Sequence, residues 1–151
     1  MTDVLTPAQR RLCMSRIRGT DTKPEQIIRT ALFADGFRYR LHVGALPGKP
    51  DLVLHRYRAC ILVNGCFWHG HECPLFRWPS TNHQFWETKI TANRTNDSRN
   101  VEELIRAGWR VLIIWECALK GKQRIPIGQV CRRAERWLLS SRRRGEITGQ
   151  R

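Results

Sequence analysis

Residues 47–63 read Pro47-Gly48-Lys49-Pro50-Asp51-Leu52-Val53-Leu54-His55-Arg56-Tyr57-Arg58-Ala59-Cys60-Ile61-Leu62-Val63. A Pro-Gly-Lys-Pro turn opens onto an aspartate, and two apolar runs, 51–54 and 59–63, flank a short polar link. Runs of this length, rich in Leu, Val and Ile and bounded by turn residues, predict buried strands, and the short link predicts that they pair as a hairpin. Trp109 to Trp115 predicts another buried strand, and Phe37 to Leu41, which alternates apolar with basic residues, a half-exposed one.

Helices account for most of the remainder. Residues 7–18 predict a basic amphipathic helix ended by Gly19. Asp21 or Thr22 can cap a second helix that carries Pro24 and Glu25 in its first turn and Ile27, Ile28, Ala31 and Leu32 on its apolar face. Residues 82–107 read as helix, with a break near Asn93 to Asn96 and a stop at Gly108. A last amphipathic helix spans Val130 to Leu139, after which Arg142-Arg143-Arg144 and the polar end are expected to fray. This order suits an α/β fold, a mixed central sheet flanked by helices on both sides. The expected division is a basic N-terminal helical arm (1–20), one folded domain (21–140) and a flexible basic tail (141–151).

A chain of 151 residues is long enough to enclose a single core. It contains no apolar run of about 18 residues that could cross a bilayer, so no membrane partner is expected. Met1 to Pro7 lacks the charged-then-apolar pattern of a secretory signal, which makes the cytosol the default. Six unevenly placed cysteines in a reducing compartment do not suggest a disulfide framework. Cys13, Cys60 and Cys131 read as apolar filler, and Trp109, Trp115 and Trp137 as core. The formal charge is +14; of 27 basic residues five are Lys and the rest Arg. An excess of Arg, whose planar fork matches phosphate and guanine edges, favours nucleic acid over a merely anionic partner.

The densest chemistry lies in Gly65-Cys66-Phe67-Trp68-His69-Gly70-His71-Glu72-Cys73. Cys66, His71 and Cys73, joined by Cys117 beyond a predicted strand, make a Cys3His set. Zinc takes such tetrahedral sulfur and nitrogen sets when it serves structure, and a filled set leaves no position for substrate. The residues alone leave open buried free cysteines beside an unrelated histidine. Phe67 and Trp68 suit stacking on bases, or a place in the core. Lys89, Asn93 and Asp97 share one helix face, read as a polar surface near a nucleic-acid backbone, and Glu25 reads as a first-turn acid favoured by the helix dipole.

Pro50-Asp51 at a strand start resembles the first half of the signature of restriction-endonuclease-like nucleases, whose aspartate binds a divalent cation. The second half, acid-x-Lys, would fall near Val63-Asn64-Gly65 and is absent. With Pro-Gly-x-Pro-Asp at 47–51, Gly-Cys-Phe-Trp-His at 65–69, His71, Cys73, Phe85-Trp86 and Gly-Trp-Arg-Val-Leu-Ile-x-Trp-Glu-Cys at 108–117, the chain from Cys13 to Leu119 resembles the very short patch repair (Vsr) endonuclease family.

That resemblance implies a restriction-endonuclease-like fold with a structural zinc held by Cys66, His71, Cys73 and Cys117. It implies a strand-specific nick 5′ to the thymine of a T·G mismatch left by deamination of 5-methylcytosine. Asp51 and the Val63 carbonyl would hold magnesium, Glu25 would meet it through water, and His69 would be the general base. The position after Val63, often His in that family, is Asn64, which can hydrogen-bond but cannot take up a proton. Phe67, Trp68 and Trp86 match the family's intercalating aromatics, and Met14 would insert from the opposite groove or simply pack. The implied partner is double-stranded DNA carrying the mismatch, with mismatch-repair and repair-synthesis proteins as further candidates. The implied protein is a monomer in the bacterial cytoplasm, associated with the nucleoid. Two rivals stay open: a zinc-stabilised DNA-binding module without catalysis, and a restriction-like nuclease with another nucleic-acid substrate.

Overall fold

The computed structural model describes residues 22–150. Its elements are α1 (Lys23–Ala34), β1 (Arg40–Leu41), β2 (Leu52–Leu54), β3 (Ala59–Asn64), α2 (His83–Arg106), β4 (Arg110–Trp115), α3 (Ile127–Leu138) and β5 (Arg144–Ile147). Single 3-10 turns at His55–Tyr57 and Glu116–Ala118 follow β2 and β4. The five strands lie in the order β1-β2-β3-β4-β5. β1, β2 and β3 pair antiparallel, so the expected hairpin forms, whereas β3, β4 and β5 are parallel. The fold is therefore mixed α/β, as the order of elements predicted. Met14, Cys13 and the 1–20 arm lie outside the described residues.

Alternation along the strands sorts the core into two layers. Leu52, Leu54, Ala59, Ile61, Leu112 and Ile114 pack against Ile28 and Leu32 of α1 and against Val130, Ala134, Trp137 and Leu138 of α3. Val53, Cys60 and Val111 face the opposite way, onto Val101 and Leu104 of α2. The helices thus cover both faces, and Cys60, Cys131, Trp115 and Trp137 are buried as expected.

Three local expectations are corrected. β1 is two residues long, not five, because residues 37–39 fold back on α1: the Phe37 amide donates to the Leu32 carbonyl, and the Tyr39 hydroxyl to the Arg29 carbonyl at 2.7 Å. α2 runs unbroken through Asn93–Asn96, where Asn93 and Arg94 have partners outside the helix, described below. The end expected to fray contributes β5, paired with β4, and buries Ile147. Arg110 redirects the chain into that strand: its guanidinium donates to the carbonyls of Trp137, Leu138, Ser140 and Arg142 as α3 ends. Gly145 passes directly under Trp137, where a Cβ would lie 2.5 Å from the indole nitrogen.

Register gathers the chemistry at one end of the sheet. Leu52 pairs with Ile61, so Asp51, one residue earlier on an antiparallel strand, arrives beside the carboxyl end of β3. Asn64 pairs with Trp115, so the loops after β3 and β4 start side by side. Crevices beyond the carboxyl ends of parallel strands are where open α/β sheets bind ligands.

Candidate active site and metal centre

Asp51 is held by the Val63 amide, which donates to Oδ2 at 2.8 Å. Across from it, the first turn of α1 delivers Glu25, only 1% exposed. The sequence Thr22-Lys-Pro-Glu25 has capping-box form, and the Thr22 hydroxyl does accept from the Glu25 amide at 3.4 Å. The Glu25 carboxylate turns inward: Oε2 receives Arg29 Nη1 at 2.9 Å and lies 2.8 Å from His42 Nε2. Ligand-type atoms of Glu25, His42 and Asp51 all fall within 4.8 Å of one another. Burial raises the pKa of Asp51 from 3.8 to about 7, opposed by the Val63 hydrogen bond and reinforced by Glu25. Two carboxylates packed this closely and out of water need a shared proton or a cation. The oxygen-rich set fits a hard divalent ion.

His69 belongs to the loop after β3. Its Nδ1 is 2.5 Å from Asp97 Oδ2 on α2, an arrangement that fixes ring orientation and leaves Nε2 to work as a base. One turn before Asp97, Asn93 Nδ2 donates to the Trp68 carbonyl at 2.8 Å, and Arg94 donates to the Gly70 carbonyl. These bonds from α2 to the loop explain why the helix does not break there. His69 and Asp97 line a cavity of about 660 Å³ together with Asn64, Arg94 and Trp115. Asp51 and Glu25 do not line it. Val63 and Asn64, consecutive on β3, connect the two groups, one bonded to Asp51 and the other lining the cavity.

Cys66, His71, Cys73 and Cys117 converge as their spacing suggested, with ligand atoms within 4.8 Å of one another. His71 Nδ1 lies 3.6 Å from both Cys66 Sγ and Cys117 Sγ. Metal–sulfur bonds of about 2.3 Å and a metal–nitrogen bond of about 2.1 Å at a tetrahedral angle give an S···N edge of about 3.6 Å. Burial raises the pKa of Cys66 and of Cys117; Cys117 and Cys73 add to the rise at Cys66, whereas at Cys117 hydrogen bonds from the Gly149 amide and Cys66 oppose it and Cys73 adds to it. A bound cation would relieve that penalty. Amides support the sulfurs: Cys117 N–H donates to Cys66 Sγ at 3.3 Å, and Gly149 N–H to Cys117 Sγ at 3.2 Å. Trp115 stacks on His71 at 4.1 Å, with 10° between the ring planes. These residues could hold a metal ion, and the C-terminal segment is part of what supports them.

Phe67, Trp68 and Trp86 form one half-buried aromatic cluster, with centroids 5.2 Å (67–68), 5.3 Å (67–86) and 5.8 Å (68–86) apart. None belongs to the two layers of the core. Phe76 extends the cluster toward Trp78, and Phe85 packs on Trp86; Trp78 and Phe85 are exposed.

The structure thus brings Glu25 to Asp51, places Val63 beside them, and sets His69 and Asn64 in a common cavity. His42 and Asp97 were missed by sequence reasoning. From the sequence Asp97 reads as part of a polar helix face, and its spacing from Asn93 is the available signal. His42 offered none, being a lone histidine between a short strand and a turn.

The family model described as DNA mismatch endonuclease Vsr matches residues 2–75. The chain is 44% identical over 119 residues to the type II nicking enzyme V.XorIIP of Xanthomonas oryzae pv. oryzae, covering 79% of this chain and 88% of that protein. It is 43% identical over 122 residues to the type II nicking enzyme V.NmeAIP of Neisseria meningitidis serogroup A, covering 81% and 87%. It is 39% identical over 150 residues to the DNA mismatch endonuclease Vsr of Escherichia coli strain K12, covering 99% of this chain and 96% of the relative. With a relative of that identity aligned over nearly its whole length, the chain belongs to the DNA mismatch endonuclease Vsr family.

Proposed function

We propose that this protein nicks one strand of double-stranded DNA 5′ to the thymine of a T·G mismatch, by magnesium-assisted hydrolysis on a restriction-endonuclease-like fold. The observation that carries the reading is a histidine oriented by a carboxylate, His69 on Asp97, at the same end of the sheet as the paired acids Glu25 and Asp51. Asp51, the Val63 carbonyl and, through water, Glu25 would hold magnesium, which when bound stabilises charge on the phosphate and the leaving oxygen. His69 takes the proton of the attacking water, and Asp97 stabilises the imidazolium so formed. Asn64, 8% exposed and unable to accept a proton, serves as a hydrogen-bonding wall of the cavity.

Zinc is the ion we assign to Cys66, His71, Cys73 and Cys117, on the chemistry of the donors and the 3.6 Å edges. Four protein ligands close the site, so its role is to pin the loop that carries Phe67, Trp68 and His69. The aromatic cluster of Phe67, Trp68 and Trp86 is the wedge: a mispair stacks weakly, and planar rings inserted there gain apolar contact for a reduced unstacking cost. A +14 chain supplies the phosphate-binding surface.

A strand-specific nicking assay tests the reading, using a panel of T·G duplexes with varied flanks and with or without magnesium. The expected result is a single nick 5′ to the mismatched thymine, absent on the T·A duplex and without magnesium. Binding without a nick would instead support a zinc-stabilised DNA-binding module, and equal cutting of homoduplex or RNA a nuclease with another substrate.

A further inference from the structure

We propose that His42 is a nitrogen ligand of the cation site that Asp51 forms beside Glu25, making it a mixed imidazole–carboxylate centre that favours first-row transition-metal ions over magnesium. The inference rests on reading Glu25 and Asp51 as the cation site. Three observations place His42 there. Its Nε2 is 2.8 Å from Glu25 Oε2 and belongs to the set of ligand atoms within 4.8 Å of one another. Its amide donates to the Asp51 carbonyl at 3.1 Å, extending the β1–β2 ladder by one step, so its backbone is tied directly to the residue that carries the second carboxylate. Its φ is +47°, a left-handed conformation that costs a residue other than glycine about 1 kcal/mol and that persists only where the surroundings enforce it.

The charges around the imidazole are also in view. Glu25 and Asp51 face it, and Arg29 reaches the same Glu25 oxygen from one turn along α1. The His42 side chain is 16% exposed. Magnesium prefers an all-oxygen shell, whereas an imidazole nitrogen adds affinity for transition-metal ions, with manganese at the weak end of that order. His42 therefore sets which cation the site accepts.

The test uses the full chain, purified without chelators, and manganese as a paramagnetic probe. Bound Mn²⁺ is counted by electron paramagnetic resonance, magnesium affinity is read by competition, and coordinating nitrogen by electron spin-echo modulation with ¹⁴N- or ¹⁵N-histidine labelling. The expected result is one Mn²⁺ per chain, lost in Asp51→Asn, with a modulation that changes on ¹⁵N labelling and disappears in His42→Gln. His42→Gln should weaken Mn²⁺ about 10-fold or more while changing magnesium affinity about 2-fold or less. Should His42→Gln fail to fold by circular dichroism, His42→Asn takes its place, and the labelling comparison in the wild type needs no substitution.

Modulation that persists in the His42 variant, or Mn²⁺ and Mg²⁺ affinities that fall by one common factor, would make His42 a positioning residue for Glu25 and overturn the inference. Failure of the wild type to bind Mn²⁺, or binding indifferent to Asp51→Asn, would overturn the cation site itself and this inference with it.

Discussion

Replacing Asp51 by Asn should stabilise the cation-free protein at neutral and alkaline pH. Asn is isosteric and its carbonyl oxygen can still accept the Val63 amide, so the 2.8 Å bond that orients the side chain is retained. What disappears is a charge that the fold disfavours, through burial and the nearby Glu25. Raising a carboxyl from 3.8 to about 7 costs the folded anion about 4 kcal/mol, at about 1.4 kcal/mol per pH unit. Asp51 is partly exposed, and solvent screening reduces the expected gain to about 2 kcal/mol. The sign follows from linkage: the folded pKa is raised, so the stability contribution is complete below about pH 4 and is lost as pH rises through about 7. Urea denaturation of wild type and Asp51→Asn in magnesium-free buffer should therefore give coincident midpoints near pH 4. The variant should be the more stable at about pH 8. Adding magnesium at about 100 times its dissociation constant should raise the wild type by about 2.7 kcal/mol and leave the variant unchanged. A variant less stable than wild type at pH 8 without magnesium, or one that gains equally from it, would refute the reasoning.

Asp97→Asn should lower the nicking rate by about 100-fold or more with mismatch binding retained, because it removes the charge that orients His69 and stabilises its protonated form; single-turnover kinetics and a binding titration separate the two. Cys117→Ser should reduce bound zinc from one per chain to near none and cost about 3 kcal/mol or more, read by metal analysis and by melting. Gly145→Ala should lower the melting temperature by about 6 °C, since the new methyl would lie 2.5 Å from Trp137 Nε1 and its relief costs about 2 kcal/mol; an unchanged melt would mean that β5 does not lie where described.

The hairpin could be read from residues 51–63 because Leu, Val and Ile in short bounded runs admit few other structures. The convergence of Cys66, His71, Cys73 and Cys117 could be read because Cys and His are scarce, and four of them flanking two strand ends have few other uses. Asp97 and His42 could not, since a polar side chain acquires its role from whatever tertiary packing brings to it, here His69 from 28 residues away and Glu25 from 17. Glu25 was doubly disguised: the capping-box spacing that predicts an α1 start also accounts for the acid, and only its burial at 1% exposure sets it apart from an ordinary first-turn acid. β5 escaped for the opposite reason, its single buried anchor, Ile147, standing among Arg, Gly and Glu without a period-2 pattern.

The nine-residue loop draws its mechanical logic from being short. His69 donates its amide to the Gly65 carbonyl at 3.2 Å and His71 to the Cys66 carbonyl at 2.9 Å, so the backbone winds tightly between the first cysteine and the second imidazole. Trp115, at the end of β4, stacks face-on to His71 at 4.1 Å and edge-on to His69 at 6.3 Å. The same indole therefore backs a candidate metal ligand and the proposed base. From the other side, α2 ties down Trp68, His69 and Gly70 through Asn93, Asp97 and Arg94 in successive turns. A loop clamped at both flanks has no independent way to move its aromatic rings without moving its histidine. A metal held by Cys66, His71, Cys73 and Cys117, as proposed, would be one of these clamps, so a chelator strong enough to strip it should weaken mismatch binding and nicking together, even with magnesium restored in excess. Binding that survives while cutting is lost would instead mean that α2 alone is enough to hold Phe67 and Trp68 in place.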